Sequence, residues 1–395
     1  MDRDTRLVHA GRDPERQSGV INPPVYRGST IVYPTMAEYE GRYERRYTSF
    51  AYGIHGTPTT LALAEALAEL SGGARTLLVS SGLAAVTQAL TAFLRHGDHL
   101  LVADTVYGPT REFCTLVLER FGVDVTFYDP LIGSGIGALI RPNTRVVYLE
   151  SPGSQTFEVQ DVPAIAAAAR ARGALVILDN TWATPLHFRA FEHGADVEIQ
   201  ALTKFVAGHS DLLLGAITAR TEEHFRALRD GAATFGDCAA PDVCYEALRG
   251  LRTLAVRLRH HEASALRVAE WLARRPEVAR VLHPALPGDP GHAIWKRDFL
   301  GASSLFGVLL STGSETGVAA MVDGLRLFRI GASFGGFESL IVPARPVRTA
   351  RPWREPGFLL RLHVGLETVE DLIADLEAGF ARLRTALRSE GEIVP

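Results

Sequence analysis

Lysine is rare in this chain, so chemistry that needs a side-chain amine has few candidates. Only Lys204 and Lys296 are lysines among the 41 Lys and Arg residues. Lys204 lies in the apolar segment 199–211, IQALTKFVAGHSD, between a strand-like QALT and a glycine-containing turn. Partial burial there would disfavour the ammonium and lower the pKa of the amine, as Schiff-base chemistry requires. A surface lysine is the alternative interpretation of the same position.

A carboxylate follows another apolar run. Asp179 comes at the end of the strand-like segment 174–180, ALVILDN, so we expect it at the carboxyl edge of a parallel sheet. If a pyridoxal ring lies at that edge, an aspartate can keep the pyridine nitrogen protonated and maintain the ring as an electron sink. A helix N-cap and a metal ligand are the alternatives. One predicted helix–strand passage separates Asp179 from Lys204, which allows both to reach the same edge.

Three more features suit a flat, phosphorylated cofactor and a carboxylate substrate. In LLVSSGLAAV (77–86) a strand turns through Gly82 into a helix, whose free N–H groups could bind a phosphate. An ordinary serine-capped helix is the commoner explanation of that pattern. Tyr107 follows another strand and could stack on a ring. Arg361, on a short apolar strand, could bind a carboxylate bidentately, or form a structural ion pair.

Other patterns are weaker candidates for sites. GSGIGA (133–138) matches a dinucleotide-binding fingerprint, but Pro142 follows too soon for the crossover helix that such a site needs. His209 and the pair His260 and His261 lack the spacing of metal ligands. The three cysteines are too few and too scattered for a disulfide framework or a zinc cluster. We therefore expect neither a nicotinamide cofactor nor a metal.

Alternating elements are predicted to position these residues. Helices are expected over 57–73, 83–97, 110–122 and 162–173, and strands over 76–80, 98–104, 123–129, 144–151 and 174–180. This alternation predicts an α/β fold with a mainly parallel sheet covered on both faces, with ligands at the carboxyl ends of its strands. A long amphipathic helix over 251–276 and a final helix over 369–388 indicate a smaller α+β domain.

The predicted organisation has three parts. Residues 1–56 form an irregular arm whose apolar side chains need another surface, residues 57–250 a large domain, and residues 251–395 a small domain. The chain has 395 residues, 47% of them hydrophobic, and a net charge of −4 without long runs of one sign. This composition suits a folded core and argues against a nucleic-acid or membrane-surface binder. Without a signal peptide or an apolar stretch of about 18 residues, a cytoplasmic enzyme is expected.

Taken together, the segments resemble the pyridoxal-phosphate enzymes of cysteine and methionine metabolism, and most of all the bacterial cystathionine β-lyases. The likeness extends over nearly the whole chain. It includes GVINPPVYRGST (19–30), the YG and GTPT of YGIHGTPT (52–59), SSGLAAV (80–86), LESPGSQTFEVQDVPAI (149–165), LDNTWAT (178–184), TKFVAGHSD (203–211), RGLRTLAVRLR (249–259), HPALPG (283–288), WKRDF (295–299), SFGGFESL (333–340) and RLHVGLE (361–367). The resemblance implies the aminotransferase-like fold, fold type I, with pyridoxal 5'-phosphate as cofactor.

The resemblance also implies roles for single residues. Lys204 would bind the cofactor as a Schiff base and move protons, Asp179 would pair with the pyridine nitrogen, and Tyr107 would stack on the ring and take part in catalysis. The phosphate would be held by Gly82, Leu83 and Thr203.

The substrate and the partner subunit follow from the same resemblance. Ser333 and Arg361 would hold the substrate α-carboxylate. Tyr52 would reach the cofactor phosphate and the substrate in the neighbouring subunit. The active unit would then be a homo-oligomer with shared sites, commonly a tetramer built as a dimer of dimers.

The implied reaction is β-elimination from L-cystathionine, or a related cysteine S-conjugate, to a thiol (homocysteine), pyruvate and ammonia, as in transsulfuration and methionine biosynthesis. Two alternatives stay open: a γ-lyase or γ-replacement enzyme, and a pyridoxal-binding regulatory protein with vestigial catalysis. The chain departs from the family pattern at Ile54, where an arginine usually helps to bind the phosphate, with His55 as a possible substitute. Ala332 stands where β-lyases often have tyrosine and γ-acting members glutamate, which argues against γ chemistry and allows an altered side-chain pocket.

Overall fold

The computed structural model describes residues 2–391; residue 1 and residues 392–395, the extreme ends of the predicted arm and small domain, lie outside the described residues. Twelve strands form two sheets within the described range. They are β1 (Arg75–Val79), β2 (His99–Ala103), β3 (Asp124–Tyr128), β4 (Thr144–Glu150), β5 (Leu175–Asp179), β6 (Val197–Ala201), β7 (Gly215–Ala219), β8 (Val278–Leu282), β9 (Leu305–Leu310), β10 (Arg329–Ile330), β11 (Leu340–Pro343) and β12 (Phe358–His363).

The larger sheet has the order β1-β7-β6-β5-β4-β2-β3. Six strands are parallel to one another, and β7, which the sequence pattern did not indicate, runs antiparallel between β1 and β6. Every residue of β2 and β7 is buried, as expected for strands covered on both faces. The predicted mainly parallel α/β architecture is confirmed.

The α-helices within the described residues cover these sheets. They are α1 (Arg3–His9), α2 (Met36–Glu40), α3 (Pro58–Ser71), α4 (Gly82–Phe93), α5 (Gly108–Phe113), α6 (Val162–Arg170), α7 (Thr184–His187), α8 (Glu222–Phe235), α9 (Pro241–Leu251), α10 (Leu254–Leu272), α11 (His292–Asp298), α12 (Glu315–Val322) and α13 (Val369–Ser389).

Two predicted helices differ in the structure. The helix expected over 110–122 begins earlier, as α5, and continues as a π-helical segment over Cys114–Leu118 and a 3-10 turn over Glu119–Phe121. The helix expected over 251–276 corresponds to α10, which begins at Leu254 and ends at Leu272. Residue Leu251 instead ends α9, and Thr253, whose ψ of 6° departs from α-helical geometry, separates the two helices.

The smaller sheet has the order β10-β11-β12-β9-β8, and α10, α12 and α13 pack their apolar faces against it. Strands β1–β7 lie within residues 57–250 and β8–β12 within 251–395. We propose these ranges as the large and small domains. The order of the small sheet places β12, which carries Arg361, in its centre between β11 and β9.

The N-terminal arm is less irregular than expected, because α1 buries Leu7 in one cluster with Leu63 and Leu67 of α3. Much of the arm beyond α1 is open to solvent: Ile21 is 62% exposed and Val32 86%. That a second subunit covers these apolar side chains stays a prediction. Among the described residues, no helix is both long and apolar enough to cross a membrane.

Candidate active site

A cavity of about 260 Å³ opens at the carboxyl ends of β4, β5 and β6, where the two sheets approach each other. Most of the residues singled out from the sequence meet there. Its lining includes Gly82, Leu83, Tyr107, Glu150, Ser154, Phe157, Asp179, Trp182, Thr203, Lys204, Ala332, Phe334 and Arg361. The position agrees with the rule for parallel sheets.

Lys204 lies just beyond β6 and extends its amine into this cavity. Its Nζ donates a hydrogen bond to Ser333 Oγ at 2.9 Å, which joins the large-sheet side of the cavity to the segment before β11. Burial, reinforced by the positive charge of Arg361, lowers the pKa of Lys204 to about 8. An amine with this pKa is present as the free base in a useful fraction near neutral pH, as a Schiff-base nucleophile must be.

Two carboxyl groups lie side by side at the floor of the cavity. Glu150 ends β4 and Asp179 ends β5, and the two residues are paired in the sheet register. Asp179 Oδ1 accepts hydrogen bonds from Thr181 N at 3.0 Å and Thr181 Oγ1 at 2.6 Å. Burial raises the pKa of both carboxyl groups, and the nearby Asp179 raises that of Glu150 further. A cationic group placed against Asp179 would favour its ionised form.

Sequence reasoning gave Glu150 no role, although it shows the same signal as Asp179: a carboxylate directly after an apolar strand. Its Oε2 accepts a hydrogen bond from the backbone N–H of Tyr107 at 2.7 Å. Glu150 therefore fixes the start of the segment that presents the Tyr107 ring. Tyr107 lines the cavity and is 45% exposed.

The turn into α4 has the form of an anion site. Ser81 is the N-cap and accepts a hydrogen bond from Ala84 N at 3.1 Å. A Cβ on Gly82 would lie 2.5 Å from Cβ of Ala201, so only glycine allows this close approach. The first N–H groups of α4 lie beside the cavity, where a phosphate would meet the positive end of the helix dipole.

Thr203, expected at the phosphate, uses its hydroxyl within the protein. The Oγ1 accepts from Leu214 N at 3.0 Å and lies 3.3 Å from Leu214 O. It still lines the cavity, so its role at a phosphate stays a prediction.

Arg361 is the group that the substrate carboxylate would need. It lies on β12 and lines the cavity. Burial lowers the pKa of its guanidinium. Among the described residues 2–391, no carboxylate forms an ion pair with it and no hydrogen bond satisfies it. Within this range the guanidinium has no ion pair at contact distance, although the Glu150 carboxyl and Tyr107 attract it electrostatically. Binding of a substrate carboxylate to Arg361 stays a prediction.

Tyr52, Ile54 and His55 do not line this cavity. Tyr52 is 53% exposed, and its neighbours contact a separate cavity between the arm, α3 and α8. In that cavity the carbonyl of His55 accepts a hydrogen bond from Arg229 at 2.5 Å. A contact of Tyr52 with the cofactor of another subunit stays a prediction.

The weaker sequence patterns have structural roles. Residues Gly133–Ala138 form a short 3-10 helix with no crossover helix directly after it. His261 Nδ1 pairs with the carbonyl of Val364 at 2.9 Å, and His209 Nδ1 pairs with that of Ala207 at 2.6 Å. Within residues 2–391, no group of His, Cys, Asp and Glu side chains is arranged to hold a metal ion.

Comparison with known proteins identifies the family of this chain. Residues 4–381 match the model of the Cys/Met metabolism PLP-dependent enzyme family. The chain belongs to this family. It is 51% identical to a putative cystathionine β-lyase of Rhizobium johnstonii, over 95% of each chain, and 46% identical to a cystathionine β-lyase of Escherichia coli, over 96% of this chain and 98% of that one.

The family is also apparent in three dimensions. A crystal structure of cystathionine γ-synthase from Xanthomonas oryzae superimposes with a TM-score of 0.89 at 33% identity, covering 98% of this chain and 99% of that one. The predicted fold and cofactor class are thereby confirmed.

Pyridoxal phosphate, the cofactor of Cys/Met metabolism PLP-dependent enzymes, fits the residues present. The cavity has a buried amine of lowered pKa, a carboxyl group at the end of β5, and a glycine-initiated helix N-terminus beside it. These three groups match the aldehyde, the pyridine nitrogen and the phosphate of the cofactor. Lys204, Asp179 and the start of α4 are the groups that would hold it.

Proposed function

We propose that this protein is a carbon–sulfur β-lyase that cleaves L-cystathionine, or a related cysteine thioether, to a thiol, pyruvate and ammonia. One observation carries the proposal: the Arg361 guanidinium, which forms no ion pair among residues 2–391, lines the same cavity as Lys204. Such a pair can hold an amino-acid carboxylate while a base reaches the adjacent Cα. The names of the relatives at 46–51% identity support cystathionine as the thioether.

The protein's own residues would have the following roles in the reaction. Arg361 and the Ser333 hydroxyl bind the α-carboxylate and so fix the direction of the Cα–H bond. The Lys204 amine, as free base, removes the Cα proton and then carries it to a later acceptor. Asp179, when ionised, would hold the pyridine nitrogen in its protonated form.

Pyridoxal phosphate, when bound, supplies the electron sink that stabilises negative charge at Cα. The Cβ–S bond then breaks with its electron pair leaving on sulfur as thiolate, which is protonated to homocysteine. Water completes the balance, because cystathionine and water give homocysteine, pyruvate and ammonia.

Product identification tests this proposal. The purified protein, loaded with pyridoxal phosphate, is incubated with L-cystathionine. Pyruvate together with homocysteine would support β-elimination. 2-Oxobutyrate together with cysteine would instead move the protein to the γ-acting enzymes, to which the Xanthomonas structure belongs by name. Turnover of neither kind, with cofactor bound, would contradict cystathionine as the substrate.

A homo-oligomer with sites shared between subunits is part of the same proposal. The half-exposed Tyr52 and the exposed apolar residues of the arm support it. A cytoplasmic location, with no nucleic-acid or membrane partner, completes it.

A further inference from the structure

The connection between β11 and β12, residues 344–357, has no helix or strand and is here called the strap. It leads directly into the strand that carries Arg361. The Asp104 carboxylate, whose side chain is fully buried, accepts hydrogen bonds from three consecutive backbone N–H groups of the strap. The donors are Thr349 at 2.9 Å, Ala350 at 2.8 Å and Arg351 at 3.1 Å.

The strap is attached at a second point one residue earlier. The Arg348 side chain is only 3% exposed, and its guanidinium donates to Glu158 Oε1 at 2.6 Å and to Thr156 Oγ1. Asp104 follows β2, whereas Glu158 and Thr156 lie in the loop after β4. The strap therefore contacts two loops of the large-sheet side at once.

Both loops form walls of the catalytic cavity. The first bears Tyr107, and the second bears Ser154 and Phe157. The loops are also joined to each other, because Ser154 N donates to Thr105 O at 2.9 Å. A shift of the strap would therefore change the position of Arg361 relative to both loops.

Asp104 is suited to this role because it remains charged. Burial alone would raise the pKa of its carboxyl group, but the N–H donors of Thr349 and Arg351 and the guanidinium of Arg111 outweigh burial and lower it. A carboxylate can accept hydrogen bonds from all of these donors. An asparagine amide in its place would direct its NH₂ group, which is itself a donor, toward some of them.

We propose that Asp104 is a positioning residue for the substrate carboxylate. By holding the strap against the loop that bears Tyr107, it sets the distance between that ring and Arg361 without touching the substrate. The inference rests on the proposed function in one respect: Arg361 must be the group that binds the carboxylate.

The test compares Asp104→Asn with Asp161→Asn. Asp161 is a control because it also joins residues of the two domains, through Arg297 at 2.8 Å, but its hydrogen-bond partners, Arg297 and Ala164, lie outside the strap. In Asp104→Asn we expect kcat/KM for L-cystathionine to fall by roughly 10- to 100-fold, mainly through KM. The visible absorbance of the lysine-bound cofactor should not change. In Asp161→Asn, KM should stay at the wild-type value.

A binding measurement separates this proposal from the choice of thioether. L-Alanine, which has the α-carboxylate and α-amine but no sulfur, is titrated into the loaded protein, and the change in cofactor absorbance is followed. The dissociation constant should rise about as much as KM in Asp104→Asn. An unchanged dissociation constant would overturn the positioning role whether or not cystathionine is the substrate.

Arg348→Gln provides a second variant if Asp104→Asn does not fold. It detaches the strap at its other contact, so it should raise the same dissociation constant. Combined with Asp104→Asn, it should raise the constant by less than the product of the two single effects. If the two single effects on the dissociation constant multiplied in the double variant, Asp104 and Arg348 would act independently and not through the strap. That result would contradict the proposal.

Discussion

At the scale of single residues, the site depends on charges that lack their usual partners. Arg361 forms no ion pair at contact distance within the described part of the chain, and the Lys204 amine meets a serine hydroxyl instead of an acid. Both arrangements are costly in a folded protein unless a ligand compensates them. For this reason Arg361 and Lys204 say more about ligand binding than the many surface ion pairs do.

Replacing Arg361 by glutamine should reduce kcat/KM for L-cystathionine by about a hundredfold or more, because a bidentate, charge-assisted contact with the carboxylate is lost. Steady-state kinetics measure this loss, and the cofactor absorbance should persist. Arg345→Gln is the control, since Arg345 forms an exposed ion pair with Glu315 at 2.9 Å. A similar loss in both variants would argue against a role in carboxylate binding.

The lowered pKa of Lys204 predicts how cofactor attachment depends on pH. Only the free amine attacks the aldehyde, and its fraction rises with pH through the pKa of about 8. The rate at which apoprotein gains visible absorbance with pyridoxal phosphate should rise with its midpoint near pH 8 and then level off, whereas an ordinary lysine would have its midpoint at about 10.4. In Arg361→Gln the midpoint should move upward, because a neighbouring positive charge is removed. A rate that still rises at pH 10 would contradict this pKa.

At the scale of elements, helix α9 supports the turn that carries Lys204. A Cβ on Gly250 would lie 2.4 Å from Ala207 O and 2.5 Å from Val206 O. Arg257, at the start of α10, donates to the carbonyls of Phe205 at 2.6 Å and Gly250 at 2.8 Å. The backbone after Lys204 is thus held by a close helix contact and a buried guanidinium.

Gly250→Ala should therefore destabilise the protein by about 1–3 kcal/mol, because the opposing atoms are backbone and cannot rotate away. It should also weaken cofactor binding by displacing the Lys204 turn. Gly231→Ala in α8 is the matched control, since its Cβ would meet only Ala92, with Cβ at 3.7 Å and Cα at 3.9 Å, which are ordinary van der Waals contacts. That variant should be neutral or stabilising by up to ~1 kcal/mol. Chemical unfolding and titration with pyridoxal phosphate measure both effects, and equal behaviour of the two variants would refute the close contact.

At the scale of the whole molecule, the cavity is built from parts that are distant in the chain, and the arm remains largely uncovered. Tyr52 and the apolar residues that follow α1 face solvent in the single chain. A symmetric dimer would cover them and could bring each Tyr52 to the other subunit's site.

Mixing two inactive variants tests this arrangement. Lys204→Ala removes the amine, and Tyr52→Ala removes the side chain expected to act in the partner subunit. After subunit exchange, half of the dimers are mixed and each contains one intact site, so roughly a quarter of wild-type activity should return. Activity that stays at the level of the separate variants would count against shared sites, and sedimentation of the mixture shows whether oligomers formed.

Much of this organisation was readable in the sequence because it depends on local patterns. Apolar runs ending in Asp179 and preceding Lys204, and the turn at Gly82, predict which residues lie at the edge of a parallel sheet, since strand direction fixes where side chains emerge. The antiparallel β7 depends on contacts with distant elements, which no local pattern encodes.

The tertiary structure alone decided three features of the site. It left Arg361 without an ion pair among residues 2–391, placed Glu150 beside Asp179, and joined Asp104 to residues 349–351. Each is a relation between segments far apart in the chain, and it exists only after both sheets have packed. Sequence spacing names the residues that could take part in chemistry. The packed structure determines which charges are paired, which are buried and which remain free to bind a substrate.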